Sequence, residues 1–474
     1  MGLVEPAPDE EHDLGMIFRQ YYLGCLSHAS YLIGDTTTGQ AVVVDPQRDV
    51  GEYLADAAAH GLRIVKVLET HFHADFLSGH LELAKATGAK IVYSSVAKPE
   101  FDYLPVEDGE RYSLGDVQLE FRHTPGHTPE SLSIVIYEHA DDTVPYGVLT
   151  GDTLFIGDVG RPDLLASIGF TREELADKLY DSLHGKLMTL PDTTRVYPAH
   201  GAGSACGKNL STDLWSTMGE QRKTNYALRA PDKSTFMELV TEGQPPAPGY
   251  FVYNAILNRK GRELLDETKM PEAMTYADVR KAMESGAMLV DGRTPEDFAL
   301  GHLRGAVNIG LEGRYAEFAG SVFKPEVDIV LMTEPGLELE GKNRLARIGF
   351  DRVIGYLKEP YQVMFSNRDD VEVASRLTTN ALGERIADVP ELQIVDVRNP
   401  GEAAAGMVPG AVNIPVGQLP DRTDELDPRK PTVVYCAGGY RSSVAASLLR
   451  QRGFADVSDL LGGHGAWEEA IQNA

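Results

Sequence analysis

The stretch ETHFHADFLSGH (69–80) places His71 and His73 one residue apart and Asp75 two residues further on. Imidazole and carboxylate at that spacing are metal-ligand chemistry. Three further pieces complete the set: HTPGHTPES (123–131) supplies His127, VLTGDTLF (148–155) supplies Asp152, and RVYPAHG (195–201) supplies His200. Each piece follows an apolar, strand-like run. The C-terminal ends of strands are where α/β proteins commonly assemble sites. One such histidine alone reads as a surface or capping residue, but four recurrences at strand ends do not. Nitrogen and oxygen donors suit zinc, iron or manganese better than a thiolate-loving metal.

A second chemistry lies near the other end of the chain. TVVYCAGGYRSS (432–443) reads as an apolar strand, then Cys436, a tight loop of Ala437, Gly438, Gly439 and Tyr440, then Arg441 and a helix. Backbone N–H groups, a helix N-terminus and a guanidinium all favour thiolate over thiol, so Cys436 is a candidate nucleophile. Core packing is the plainer reading of a cysteine that ends a strand, and the Cys–Gly–Gly–Arg loop argues against it.

The elements that must hold these residues alternate. AVVVDP (41–46), IVKVLET (64–70), KIVYSS (90–95), VQLEFRHTPGHT (117–128) and LSIVIYE (132–138) read as strands, and residues 50–61 and 77–89 as helices closed by glycine. Cys25, in YLGCLSHASYLIG, reads as a buried strand residue. TEGQPPAPGY (241–250) is Pro/Gly punctuation that marks the approach to a boundary. Beyond it the sequence repeats. LVDGRTPEDFALGHLRGAVNIG (289–310) matches IVDVRNPGEAAAGMVPGAVNIP (394–415), pairing Asp291 with Asp396, Arg293 with Arg398, Gly305 with Gly410 and Asn308 with Asn413 at a constant offset. Two similar α/β domains follow from that period.

The chain has 474 residues, a length that suggests about three domains. The divisions expected are 1–255, 256–365 and 366–474. A net charge of −27 argues against nucleic acid as main partner. Three cysteines, Cys25, Cys206 and Cys436, cannot build a disulfide framework, so a reducing compartment is expected. The acidic start MGLVEPAPDE lacks signal- or transit-peptide character, and no apolar run approaches the length of a membrane span. The expectation is therefore a cytoplasmic protein with no membrane partner. The sequence leaves a homo-oligomer open.

The four metal pieces resemble the metallo-β-lactamase superfold over about residues 15–250. In its two-metal hydrolases one metal is held by both HxH histidines and a later histidine. The other takes the aspartate, the histidine directly after it and the last histidine. Phe76 stands in the place of that following histidine and offers no lone pair, so a second metal should not fill well. The pattern is more similar to persulfide dioxygenases, which share HxHxD, TPGHTP and the segment that here reads TGDTLFIGDVGRPD (150–163). That resemblance implies one Fe(II) per chain, held by His71, His127 and Asp152, with zinc as the alternative. Two histidines and one carboxylate would leave about three positions open. The residues themselves leave His71, His73 and His127 equally open as the trio. On the family reading, His73, Asp75 and His200 orient ligands or line the cavity. Arg161 would contact an anion or else form a salt bridge. Cys206 would approach the substrate's sulfur or else pack as a small hydrophobe, and Phe76 would wall the cavity.

Both repeats, about residues 270–474, resemble rhodanese sulfurtransferases. The resemblance implies that Cys436 carries a sulfane sulfur held by Arg441 and the loop amides. The first repeat departs from the pattern. The counterpart of Cys436 falls near residues 331–333, no cysteine lies between 207 and 435, and Glu334 and Glu338 would repel an anion. The fold implied is α/β: a metallo-β-lactamase αββα sandwich, then two rhodanese-like domains with parallel sheets. The activity implied is oxidation of a thiol persulfide (of glutathione, coenzyme A or a similar thiol) by O2 to sulfite. Sulfane-sulfur transfer at Cys436, with sulfite as acceptor, would then give thiosulfate. The alternatives are a glyoxalase II-type thioester hydrolase fused to a sulfurtransferase, or a sulfurtransferase or sulfur-sensing protein with a non-catalytic metal domain.

Overall fold

A computed structural model describes residues 10–11, 15–164, 169–244 and 246–473. Two compact units make up the chain: residues 1–247 with 251–265, and residues 248–250 with 266–474. Among the described residues no helix is long and apolar enough to cross a membrane.

The first unit holds a seven-stranded and a six-stranded sheet, both mixed. Alternation along the strands decides what lies between them. In His28–Asp35, Tyr31 and Ile33 point into a core shared with Phe121, Ile134 and Leu149 of the other sheet. Leu32, between them, points the opposite way, onto Tyr53, Ala57 and Leu83 of the helices Gly51–Ala59 and His80–Thr87. The second sheet likewise packs its outer face, Val135, Val148 and Val196, on the helices Arg172–Ser182 and Lys233–Thr241. The layers are thus helix, sheet, sheet, helix. The strands predicted from sequence are present at Gln40–Val44, Arg63–Leu68, Lys90–Ser94, Gln118–His123 and Leu132–Tyr137. Two local expectations fail. Cys25 lies half-buried in a turn between strands, because Leu26 N–H bonds back to Leu23 O. Residues 77–79 are not helical, because the Ser78 N–H bonds to Asn258 Oδ1 and the Gly79 N–H to Pro46 O.

The second unit holds two five-stranded parallel sheets. Their central strands, Ile329–Met332 and Thr432–Tyr435, are equivalent, and so are their neighbours Met288–Asp291 and Gln393–Asp396. The matched residues behave alike. Arg293 chelates Asp291 and donates to Gly301 O, and Arg398 does the same to Asp396 and Gly406 O. Asn308 Nδ2 donates to the carbonyls of Asp291 and Arg293, as Asn413 Nδ2 does to those of Asp396 and Arg398.

Candidate metal centre and candidate sulfur loop

Four loops at strand ends carry the predicted metal residues into one buried place. Residues 69–75 follow Arg63–Leu68, His127 follows Gln118–His123, Asp152 follows Gly147–Gly151 and His200 follows Arg195–Pro198. Close approach is built in. Gly151 has φ +52°, and a Cβ there would press on Thr70; a Cβ at Gly160 would strike the Asp152 carbonyl. Such backbone needs glycine.

Ligand atoms of His71, His127 and Asp152 lie within 4.8 Å of one another, all buried. Asp152 Oδ2 is 3.4 Å from His127 Nε2 and 3.9 Å from His71 Nε2. Each imidazole is oriented through its other nitrogen. His71 Nδ1 meets Thr70 Oγ1 at 3.0 Å, and that hydroxyl donates to Asp45 at 2.8 Å. His127 Nδ1 lies 2.9 Å from Arg161 O, and His200 Nδ1 lies 3.1 Å from Ser27 O. A carbonyl can only accept, so Nδ1 carries the proton and Nε2 keeps its lone pair. His71 Nε2, His200 Nε2 and both Asp152 oxygens have no hydrogen-bond partner. Orphaned, buried, convergent donors of this kind fit a divalent metal.

His73 does not join that trio. Its Nε2 lies 3.0 Å from Asp45 Oδ1 and 3.5 Å from Glu69 Oε2. It also belongs to a second group with Asp75 and His200, again within 4.8 Å. Burial pushes the His73 imidazole down, but the Asp45 and Glu69 carboxylates outweigh it and raise it to about 9. Burial drives His71 the other way, well below the usual range, reinforced by positive charge on His73. The raised His73 value gives a sign for pH dependence in metal-free protein. Its contribution to stability is complete below pH 6.5 and is lost as pH rises from there through about 9. Urea unfolding of the metal-stripped chain across that window checks it, with His73→Gln expected to flatten the decline.

Phe76 is 1% exposed. Its ring stands 4.3 Å from that of His73 and 3.9 Å from that of His28, so an apolar face fills the place a further ligand would take. His28 is a site residue that the sequence reading missed. It is fully buried, pairs its backbone with His200, and burial holds its imidazole neutral. A histidine opening the buried strand His28–Asp35 was the available signal. Asn258 was also missed. Its Nδ2 donates to His73 O and Phe76 O, each at 2.8 Å, and its Oδ1 accepts from Ser78 N–H at 2.9 Å.

Around this centre, His200 Nε2 is 3.3 Å from Asp75 Oδ2 and 3.5 Å from Asp152 Oδ1. Cys206 is brought in as well, grouped with Asp152 and His200. Burial raises its thiol, and the Asp75 and Asp152 charges add to that, so it stands as the neutral thiol. Arg161 is otherwise engaged. Its guanidinium chelates Asp163 at 2.7 Å through two nitrogens and donates to Ala205 O at 3.1 Å, bracing the loop before Cys206.

At the other site, Cys436 is buried at the end of Thr432–Tyr435. Gly439, at φ +115°, turns its N–H onto Sγ at 3.0 Å and opens the helix Tyr440–Gln451. The Ser442 hydroxyl lies 3.5 Å from Sγ. Arg441 sits beside Cys436 and chelates Glu402 with two bonds of 2.7 Å. Arg441 in turn holds the Glu402 carboxyl below its ordinary range. In the first repeat, Asp291 pairs with Met332 as Asp396 pairs with Tyr435, so Thr333 takes the place of Cys436.

Residues 23–200 match the family model "Metallo-beta-lactamase superfamily", and residues 275–362 and 378–470 match "Rhodanese-like domain". The solved structure of a metallo-beta-lactamase from Staphylococcus aureus is 33% identical with a TM-score of 0.65, covering 72% of this chain and 98% of its own. The chain belongs to the metallo-β-lactamase superfamily and carries two rhodanese-like domains. Within that superfamily it is similar to the persulfide dioxygenase ETHE1, mitochondrial, of Bos taurus. The identity is 34% over 173 residues, 36% of this chain and 63% of that protein, so under two thirds of the relative is spanned. It is also similar to the cytoplasmic hydroxyacylglutathione hydrolase of Arabidopsis thaliana, at 33% over 183 residues, 38% of this chain and 66% of that protein. The αββα fold followed by parallel-sheet rhodanese domains is the architecture the sequence implied.

Proposed function

We propose that this metallo-β-lactamase member is a persulfide dioxygenase–sulfurtransferase. Its metal domain would span residues 1–255, a cysteine-less rhodanese repeat 256–365, and the sulfur-transferring repeat 366–474. The observation that carries the reading is the buried meeting of His71, His127 and Asp152, with His73 drawn onto Asp45 and Glu69. That set fits a two-histidine, one-carboxylate iron site. Fe(II) held there would supply activation of dioxygen.

The chain's own residues supply the rest. Thr70, Arg161 and Ser27 fix the imidazole tautomers through Nδ1. Phe76 and the neutral Cys206 present low-polarity walls that exclude water from the reaction. His73, kept protonated by Asp45 and Glu69, offers positive charge to an anionic persulfide. In the reaction proposed, a persulfide of glutathione, coenzyme A or a similar thiol loses its terminal sulfur as sulfite. O2 and one water provide the oxygens, and the thiol is released. At Cys436 the thiolate attacks the outer sulfur of another such persulfide; the sulfur–sulfur bond breaks, the thiol leaves with the electron pair, and Cys436 becomes the persulfide. Sulfite then attacks the outer sulfur and leaves as thiosulfate, returning the thiolate. Free thiols and a thiolate suit a reducing compartment, and we place the protein in the cytoplasm.

The test is anaerobic purification with metal analysis, followed by oxygen consumption with glutathione persulfide. One iron per chain with uptake is expected; absence of both would sink the reading. A thioester hydrolase is the second reading, favoured by the group His73, Asp75 and His200, which still assembles. Two zinc ions per chain and turnover of a glutathione thioester would establish it. Phe76→His sharpens the contrast. It restores a nitrogen donor beside Asp75 and is expected to raise the metal content toward two per chain and to lower oxygen uptake about tenfold or more. Metal analysis that still finds one ion per chain removes Phe76 from the explanation.

A further inference from the structure

The first repeat has no cysteine, yet it touches the sulfur loop of the second. Tyr440, the residue that follows the loop glycines, donates its hydroxyl to Gly310 O at 2.6 Å. Its ring packs 5.4 Å from that of Phe318 and lies so close over Gly313 that a Cβ there would fall within the ring. One turn on, Ser443 donates to Asn308 Oδ1 at 2.6 Å, and Asn308 N–H donates to Ser447 Oγ at 2.9 Å. At the loop itself, Arg376 Nη2 borders Gly439, and Arg376 is held by Glu296 of the first repeat at 2.8 Å and by Asp459 at 3.2 Å. The first repeat therefore grips the helix Tyr440–Gln451 along its first two turns. That is the helix whose opening residue, Gly439, supplies the N–H on Cys436 Sγ.

We infer that the cysteine-less repeat is a positioning element of the sulfur-transfer site: Gly310, Gly313 and Asn308 form a socket that sets the Cys436 loop. The inference rests on the sulfur-transfer reading of Cys436. The hydroxyl bond and the ring's seat fix where Tyr440 starts the helix, and so where the Gly439 N–H points. The chemistry that depends on it is simple. Cys436 thiolate attacks the sulfane sulfur of a donor such as thiosulfate, the sulfur–sulfur bond breaks, and sulfite leaves with the electron pair. The loop must hold charge first on Sγ and then one sulfur further out. A small displacement of oriented amides is enough to lower such a rate steeply.

The test puts substitutions on both sides of the contact in the full chain. Gly313→Ala, in the repeat without a cysteine, should push on the Tyr440 ring. Tyr440→Phe removes the hydroxyl that donates to Gly310 O and keeps the ring. The assay is sulfur transfer from thiosulfate to cyanide, with the pH profile of Cys436 alkylation by iodoacetamide as second readout. Gly313→Ala is expected to lower kcat about tenfold or more and to move the alkylation midpoint upward. Tyr440→Phe is expected to lower kcat about fivefold. Rates within twofold of the parent and an unmoved profile in both variants would overturn the inference. If Gly313→Ala fails to fold, the Tyr440→Phe result decides alone. A parent protein that transfers no sulfur to cyanide fails the underlying reading instead, which separates the two failures.

Discussion

Cys436→Ser is expected to abolish sulfur transfer, by more than about 1000-fold, while oxygen uptake with glutathione persulfide continues. The serine oxygen can occupy the place of Sγ and accept the Gly439 N–H, so the loop should keep its shape. It cannot carry a sulfane sulfur. The products are therefore expected to change, with sulfite accumulating in place of thiosulfate, and chromatography of the sulfur anions reads this directly. Thiosulfate that persists in the variant would show that the rhodanese-like domain takes no part in forming it.

The second large effect is expected at Asp152. Its two oxygens face different neighbours, Oδ2 toward His127 and His71 and Oδ1 toward His200. Asp152→Ala removes the one carboxylate of the proposed iron trio and leaves His71 and His127 with no anionic partner between them. Iron content is expected to fall from about one per chain to a small fraction, and oxygen uptake by more than about 100-fold. Sulfur transfer at Cys436 should be unaffected. A variant that keeps its iron would instead point to the trio that includes His73.

Much of both sites could be read from sequence, because their residues sit at the ends of strands with strong apolar signals. His71, Asp152 and His200 each follow such a run, and Cys436 does too. The 105-residue offset between Asp291 and Asp396 also reappears as matched hydrogen bonds. What escaped was what the chain brings from far away. Asn258 is 182 residues from Phe76 and reads locally as the end of a short helix. Asp45 matters through His73, and no spacing rule links a carboxylate at the end of one strand to the next strand's loop. Thr333 could be aligned with Cys436 only once the strand register was known, because the sequence between is uninformative by one residue. For Arg161 the sequence left two readings, an anion contact or a salt bridge, and a carboxylate two residues on meets its guanidinium.

The Asp–Arg pair that opens each rhodanese-like repeat bears on how loss-of-function variants should be interpreted. Asp291 with Arg293 and Asp396 with Arg398 are buried ion pairs of the same geometry, and the first belongs to the repeat with no cysteine. A feature equally well formed in the repeat without a cysteine is a requirement of the architecture. Leaving either charge buried without its partner is costly. Loss of sulfur transfer in an Arg398 variant is therefore expected to track loss of domain stability, and thermal unfolding of the variant beside the activity assay separates the two.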